Sequence, residues 1–119
     1  MKFEKFENMI QYFVNEYCKP KSTVLIIKPG NGIELYTSIF KFINSEVIFF
    51  SSEWYPGIDI SGSSDFLPFE NQSFDLVITF VSTDDIFRVI KTNGVVLIRD
   101  EIVNAKENYI LMDSVFSVI

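Results

Sequence analysis

The stretch Thr23-Val24-Leu25-Ile26-Ile27-Lys28-Pro29-Gly30-Asn31-Gly32 decides the fold. Its first five residues are a short apolar run rich in β-branched side chains, bounded by Pro20 and by Pro29-Gly30. That pattern fits a strand buried on both faces, the kind found in parallel sheets. Gly30 and Gly32 allow a tight turn, and from Ile33 to Ile43 the apolar residues Ile33, Leu35, Tyr36, Ile39, Phe40 and Ile43 suit a helix packed on that sheet.

Working outward, the same alternation continues. Upstream, Phe3, Phe6, Ile10, Phe13, Val14 and Tyr17 recur at spacings of three and four, with Glu4, Lys5, Asn8, Gln11 and Asn15 opposite, so an amphipathic helix ends at Pro20. Downstream, Glu46–Phe50 reads as a second strand and Ser51–Ser64 as loop with a short strand near Ile58-Asp59-Ile60. Phe74–Val81 is a strong strand, Thr83–Lys91 a helix that leaves by an Asn93-Gly94 turn, and Val95–Ile98 a further strand. Ala105–Met112 is compatible with a helix and Ser114–Ile119 with a terminal strand. Alternating strands and helices point to an α/β fold, a mostly parallel sheet of about five strands flanked by helices and truncated at its C-terminal end. Residues 1–119 are expected to form a single domain, since 119 residues suit one core.

Composition narrows the function classes. At 48% hydrophobic and 22% charged residues the chain has the material for a packed core rather than a disordered coil. A net charge of −6 is the wrong sign for a phosphate-binding surface, so nucleic acid is not an expected partner. Histidine is absent, which removes Ser-His-Asp and Cys-His catalysis and most zinc sites. Cys18 is the sole cysteine and has no disulfide partner within the chain. The charged, aromatic start Met1–Glu7 is unlike a signal peptide, and no apolar run spans a bilayer, so the expectation is a cytoplasmic protein with no membrane contact.

Three ordered blocks then carry a resemblance. They are Val24–Gly32, the run Pro56-Gly57-Ile58-Asp59-Ile60-Ser61-Gly62 through Asp65-Phe66-Leu67-Pro68-Phe69 to Ile78, and Phe87-Arg88-Val89-Ile90-Lys91-Thr92-Asn93-Gly94. Together they resemble the class I S-adenosylmethionine-dependent methyltransferases, in particular the small-molecule type with an LPF motif. The resemblance implies a Rossmann-like methyltransferase fold with S-adenosylmethionine as cofactor across the carboxyl ends of the strands. It implies cofactor contacts at Lys28, Gly30, Asn31, Gly32, Ser51, Glu53, Ser63, Asp65 and Leu67, and a small-molecule methyl acceptor near Phe80, Val81 and Ser82. No residue there is an evident general base, and none is assigned a catalytic role.

Position by position, the acids of the family pattern are replaced. Ile26 stands at the acid of the first strand, Lys28 at the first loop glycine, Ser51 at the ribose acid and Ser63 at the adenine acid, with Glu53 and Asp65 two residues on as substitutes. A hydrogen bond to a charged group contributes about 1.5–3 kcal/mol net. Losing two would weaken binding roughly 10²–10⁴-fold. The expectation is therefore a methyltransferase-like protein with weakened or lost cofactor binding, and the alternative is a non-catalytic scaffold or oligomeric binding module of the same fold. A sheet ending at Val95–Ile98 would leave an unpaired edge, to be covered by a second copy in a homo-oligomer or by Ser114–Ile119.

Several residues admit two readings. Gly30 and Gly32 serve a ligand loop or a simple turn, and Lys28 an anion or bulk water. Asp84-Asp85 fits a helix amino-terminal cap better than a metal site, and Asp75 a structural role at a strand start. Trp54 and Tyr55 either stack on a ligand or close the pocket.

Overall fold

The computed structural model describes residues 20–42, 44–81, 83–98, 109–112 and 115–118, together with positions 11 and 15. Of the expected amino-terminal helix, Gln11 and Asn15 are described. Both are helical and exposed, and the Gln11 amide donates to Asn15 Oδ1 at 3.1 Å. The apolar stripe from Phe3 to Tyr17, with Cys18, lies outside the described residues, as do Ile43 and Ser82.

Among the described residues seven strands form one sheet: β1 (Thr23–Ile27), β2 (Glu46–Ser51), β3 (Ile60–Ser61), β4 (Phe74–Thr79), β5 (Ile90–Ile98), β6 (Tyr109–Met112) and β7 (Val115–Val118). Their order is β3-β2-β1-β4-β5-β7-β6. The first five pair parallel with one another, as expected. Chain order reverses between β1 and β4, which creates a crevice at the carboxyl ends of these strands.

The sheet does not stop at β5. β7 pairs antiparallel with it, Val96 opposite Phe116, and β6 pairs antiparallel with β7. Of the two expected covers for the β5 edge, the terminal segment is therefore the one present, and that edge leaves no place for a second copy. The expected helix over Ala105–Met112 is corrected in its described part, because Tyr109–Met112 is a strand whose backbone groups are taken up by β7.

Helix α1 (Ile33–Phe42) follows β1 through a 3-10 turn at Gly30–Gly32. Glu34 in its first turn and Lys41 in its last suit the helix dipole. Asn44, left-handed at φ +53°, ends it while Ser45 N–H donates to the Phe40 carbonyl at 3.0 Å. Tyr36 and Phe40 are buried on the sheet with Val24, Ile26, Phe49, Ile58, Leu76 and Ile78, whereas Leu35, expected inside, is exposed. The opposite face buries Leu25, Ile27, Phe50, Leu67, Phe74, Val77, Ile86 and Val89. Both faces of β1 are thus sealed, which is why its sequence lacks alternation.

One connection is shorter than its sequence suggested. Helix α2 spans Ile86–Val89 rather than Thr83–Lys91, because Ile90 already pairs with Phe74. The next partners are Leu76 and Val95, so 91–94 bulge out of β5, and the Asn93-Gly94 turn lies within that bulge with Asn93 at φ +66°. Between β2 and β3 the described chain contains no helix, as expected.

Candidate functional site

Register sets the level of the site. Ile27 lies beside Phe50 and Thr79, and Ser51 beside Ser61, so Lys28, Ser52, Gly62 and Phe80 emerge together at the carboxyl end of the sheet. The loops are tied at that level: Lys28 N–H donates to the Phe50 carbonyl at 2.7 Å, Gly62 N–H to Ser51 at 3.1 Å, and Phe80 N–H to Ile27 at 3.2 Å.

The glycine loop is built as the sequence required. Gly30 has φ +59°, open to glycine at no steric cost, and Gly32 N–H donates to the Pro29 carbonyl at 3.0 Å. A Cβ on Gly32 would lie 2.7 Å from the Tyr36 ring, whereas one on Gly30 would meet nothing within 4 Å. The Gly30 amide, however, points at the chain itself, donating to the Tyr55 hydroxyl at 3.0 Å. Tyr55 arrives there on a turn closed by Ile58 N–H to Tyr55 O at 3.0 Å. Gly57 in that turn has φ +99°, and a Cβ on it would lie 2.7 Å from Ile33 Cδ1. Asp59 anchors the far end, accepting from Phe49 N–H at 2.8 Å while its own N–H donates to Phe49 O at 2.9 Å. Of the two readings of Tyr55, closure is what the contacts describe. Trp54 stays 71% exposed.

The Ser51 and Ser63 hydroxyls bond within their own loops. Ser51 is buried, and its Oγ accepts from Glu53 N–H at 3.2 Å. Ser63 Oγ accepts from Asp65 N–H at 3.2 Å. Both Glu53 and Asp65 are exposed, and neither carboxylate has a hydrogen-bond partner among the described residues. Lys28 is exposed, with left-handed backbone at φ +57°. Asn31 lies in the 3-10 turn.

Leu67, the last of the expected contacts, is instead buried in the core on the α2 face. Its N–H donates to Asp85 Oδ2 at 2.7 Å. Arg88 completes a clamp, Nε and one terminal nitrogen on the two Asp85 oxygens at 2.8 and 2.9 Å. It also donates to the carbonyls of Leu67 at 2.8 Å and Phe69 at 2.6 Å, and to Asn71 Oδ1 at 3.1 Å. Asp85 occupies the cap position of α2, as expected, but its side chain makes no capping bond to the helix and serves this clamp. The hydrogen bonds from Arg88 hold its carboxyl below the ordinary 3.8, and the Leu67 amide and the Arg88 charge add to this against the opposing effect of burial. The same pairing raises the Arg88 guanidinium further. Sequence reading missed the clamp, although Asp85 and Arg88 at a spacing of three on a helical turn were its visible signal.

At the opposite end of the sheet, Asp75 accepts from Thr23 N–H at 2.8 Å and faces Lys91 Nζ at 3.4 Å, a structural role as expected. A polar cavity of about 420 Å³ opens there, lined by Pro20, Lys21, Ser22, Asp75, Lys91 and 92–94. None of these is an expected cofactor contact. Among the described residues no three potential metal ligands cluster, and no helix is long and apolar enough to cross a membrane.

No protein-family model matches the chain, and no curated protein sequence matches it. Solved structures do. An S-adenosylmethionine-dependent methyltransferase from Aquifex aeolicus superposes with a TM-score of 0.59 at 15% identity, over 86% of this chain and 67% of that one. A chain from the complex between the Haloferax volcanii Trm112 methyltransferase activator and its candidate methyltransferase gives 0.54 at 13%, over 82% and 61%. A candidate sarcosine dimethylglycine methyltransferase from Galdieria sulphuraria gives 0.56 at 16%, over 77% and 44%. The likeness at such low identity is one of fold. The chain spans between about two fifths and two thirds of the length of these neighbours.

Proposed function

We propose that the chain is an S-adenosylmethionine-dependent methyltransferase-like protein of the LPF type whose hold on the cofactor is weakened or lost. The observation that carries this reading is the Tyr55 hydroxyl accepting from the Gly30 amide at 3.0 Å. A glycine loop contributes to an adenosine-type ligand by bringing backbone amides close to it. Here that amide is satisfied by the chain's own side chain, and a ligand would have to displace Tyr55 to reach it.

The polar groups as placed do not fit the cofactor. Ser51 and Ser63 spend their oxygens on neighbouring amides, and Glu53 and Asp65 face solvent. Drawing two carboxylates out of water offsets much of the gain from any bond they would make. The same features favour the non-catalytic binding module over an enzyme, since methyl transfer requires alignment on a firmly held donor.

Calorimetric titration of the full chain with S-adenosylhomocysteine tests this. The expected result is no heat up to millimolar ligand. Micromolar binding abolished by Glu53→Ala would overturn the reading and restore a competent cofactor site.

A further inference from the structure

At the amino end of the sheet, segments distant in sequence close around the cavity of about 420 Å³. Lys21 lines it from the residues before β1, Asp75 from the start of β4, and Lys91, Thr92 and Asn93 from the bulge in β5. The volume falls toward the lower end of the roughly 300–1,000 Å³ typical of pockets that hold small molecules. Pro20 supplies the one apolar side chain of the lining, so a polar guest fits better than an apolar one.

Two of the lining residues hold left-handed backbone. Asn93 has φ +66°, and Lys21 has φ +69° with its N–H donating to the Asn44 carbonyl at 3.0 Å. Residues with a Cβ adopt this conformation at a cost, and such positions cluster at ligand sites. The acid in the cavity is already engaged, because Asp75 Oδ2 accepts from Thr23 N–H at 2.8 Å and faces Lys91 Nζ at 3.4 Å. Lys21 has no ion-pair partner among the described residues, and the exposed side chains of Thr92 and Asn93 make no hydrogen bond among them. Two ammonium groups against one engaged carboxylate disfavour a cationic guest. Outside the lining, Glu46 and Glu70 oppose Lys41, and Arg88 is bound to Asp85. The field at this end is therefore balanced, and the donors inside the cavity make the selection.

We infer that this cavity binds the phosphate group of a small polyol phosphate. Lys21 and Lys91 meet the phosphate oxygens as point charges, which needs no planar fit. Thr92 and Asn93 supply hydrogen bonds to the phosphate or to the hydroxyls of the body. The cavity exceeds the size of a bare oxyanion, which leaves room for that body. It lies at the opposite end of the sheet from the glycine loop, so the inference stands apart from the proposed function and the two fail independently.

The test is amide NMR of the full chain, titrated at constant ionic strength with glycerol phosphate, inorganic phosphate and glycerol in turn. Glycerol phosphate should move the Lys21, Thr92 and Asn93 amides saturably at millimolar concentration while Gly30 stays in place. Inorganic phosphate should move the same amides at severalfold higher concentration, and glycerol should move none. Lys21→Ala should weaken binding roughly three- to tenfold. Lys91→Ala, which also frees Asp75, should weaken it in the same direction. Lys41→Ala is the control, since it removes an exposed lysine outside the lining, and it should leave binding within about twofold. Unchanged amide shifts across β1 and β4 confirm that each variant is folded. Absence of saturable shifts in the parent chain would overturn the inference. So would equal weakening by Lys41→Ala and Lys21→Ala, which would show diffuse attraction, or equal affinity for glycerol phosphate and inorganic phosphate. Movement of Gly30 in place of Thr92 and Asn93 would overturn it as well, by putting the phosphate at the glycine loop.

Discussion

The LPF segment and the glycine loop both carry the family resemblance, yet they are held in different ways. Leu67–Phe69 is gripped by Arg88 through two carbonyls and by Asp85 through an amide, with Phe69 edge-on to Phe50 and Phe74 at centroid distances of 6.0 and 5.0 Å. The glycine loop is capped by one tyrosine hydroxyl at a half-buried position. The LPF residues are tied into the core by several bonds and ring contacts, whereas the glycine loop is held by a single side-chain hydrogen bond. Resemblance in sequence then reports packing, and the grip on a ligand has to be judged from the polar contacts.

That contrast can be broken most strongly from the LPF side. Phe50→Ala empties a fully buried site against Phe69 and should cost about 3–5 kcal/mol in urea unfolding. Next comes the turn that delivers Tyr55: Gly57→Ala combines positive φ with a Cβ 2.7 Å from Ile33 and should cost about 1–3 kcal/mol. Gly30→Ala meets no neighbour and carries only the left-handed backbone penalty, about 1–2 kcal/mol, so the pair separates clash from strain.

A smaller effect is expected from acid. The carboxyl of Asp85 is lowered in the folded chain, so its contribution is present above the unfolded value of 3.8 and is lost as pH falls from there through the folded value. Urea midpoints measured between pH 6 and pH 3 should fall less in Asp85→Asn than in the parent. The clamp is partly open to solvent, with Arg88 at 36% exposure and Asp85 at 19%, which keeps this effect modest. Smallest of all, Tyr55→Phe removes one hydrogen bond near the surface and should cost under about 1 kcal/mol.

The parallel core was legible because each of its strands is a continuous apolar run bounded by turn residues, as in Val24–Ile27 and Leu76–Ile78. Local patterns failed where tertiary pairing overrode them. Val89 and Ile90 have helical spacing from Ile86, but Ile90 is claimed by β4, which cuts α2 to one turn. Tyr109–Met112 carries no strand signature strong enough to exclude a helix until β7 supplies its partner. At the site, the sequence offered Ser51, Glu53, Ser63 and Asp65 as candidate contacts but not the direction in which their side chains point. The direction of a side chain on an irregular loop depends on contacts such as Tyr55 with Gly30, which no periodicity encodes.

The Gly30 amide donates to the Tyr55 hydroxyl, and amide NMR of the full chain reads whether a ligand competes for it. The Gly30 resonance should shift in Tyr55→Phe and stay in place when the parent chain is titrated with S-adenosylhomocysteine to millimolar concentration. Joint movement of the Gly30, Ser51 and Glu53 amides at micromolar ligand would contradict it.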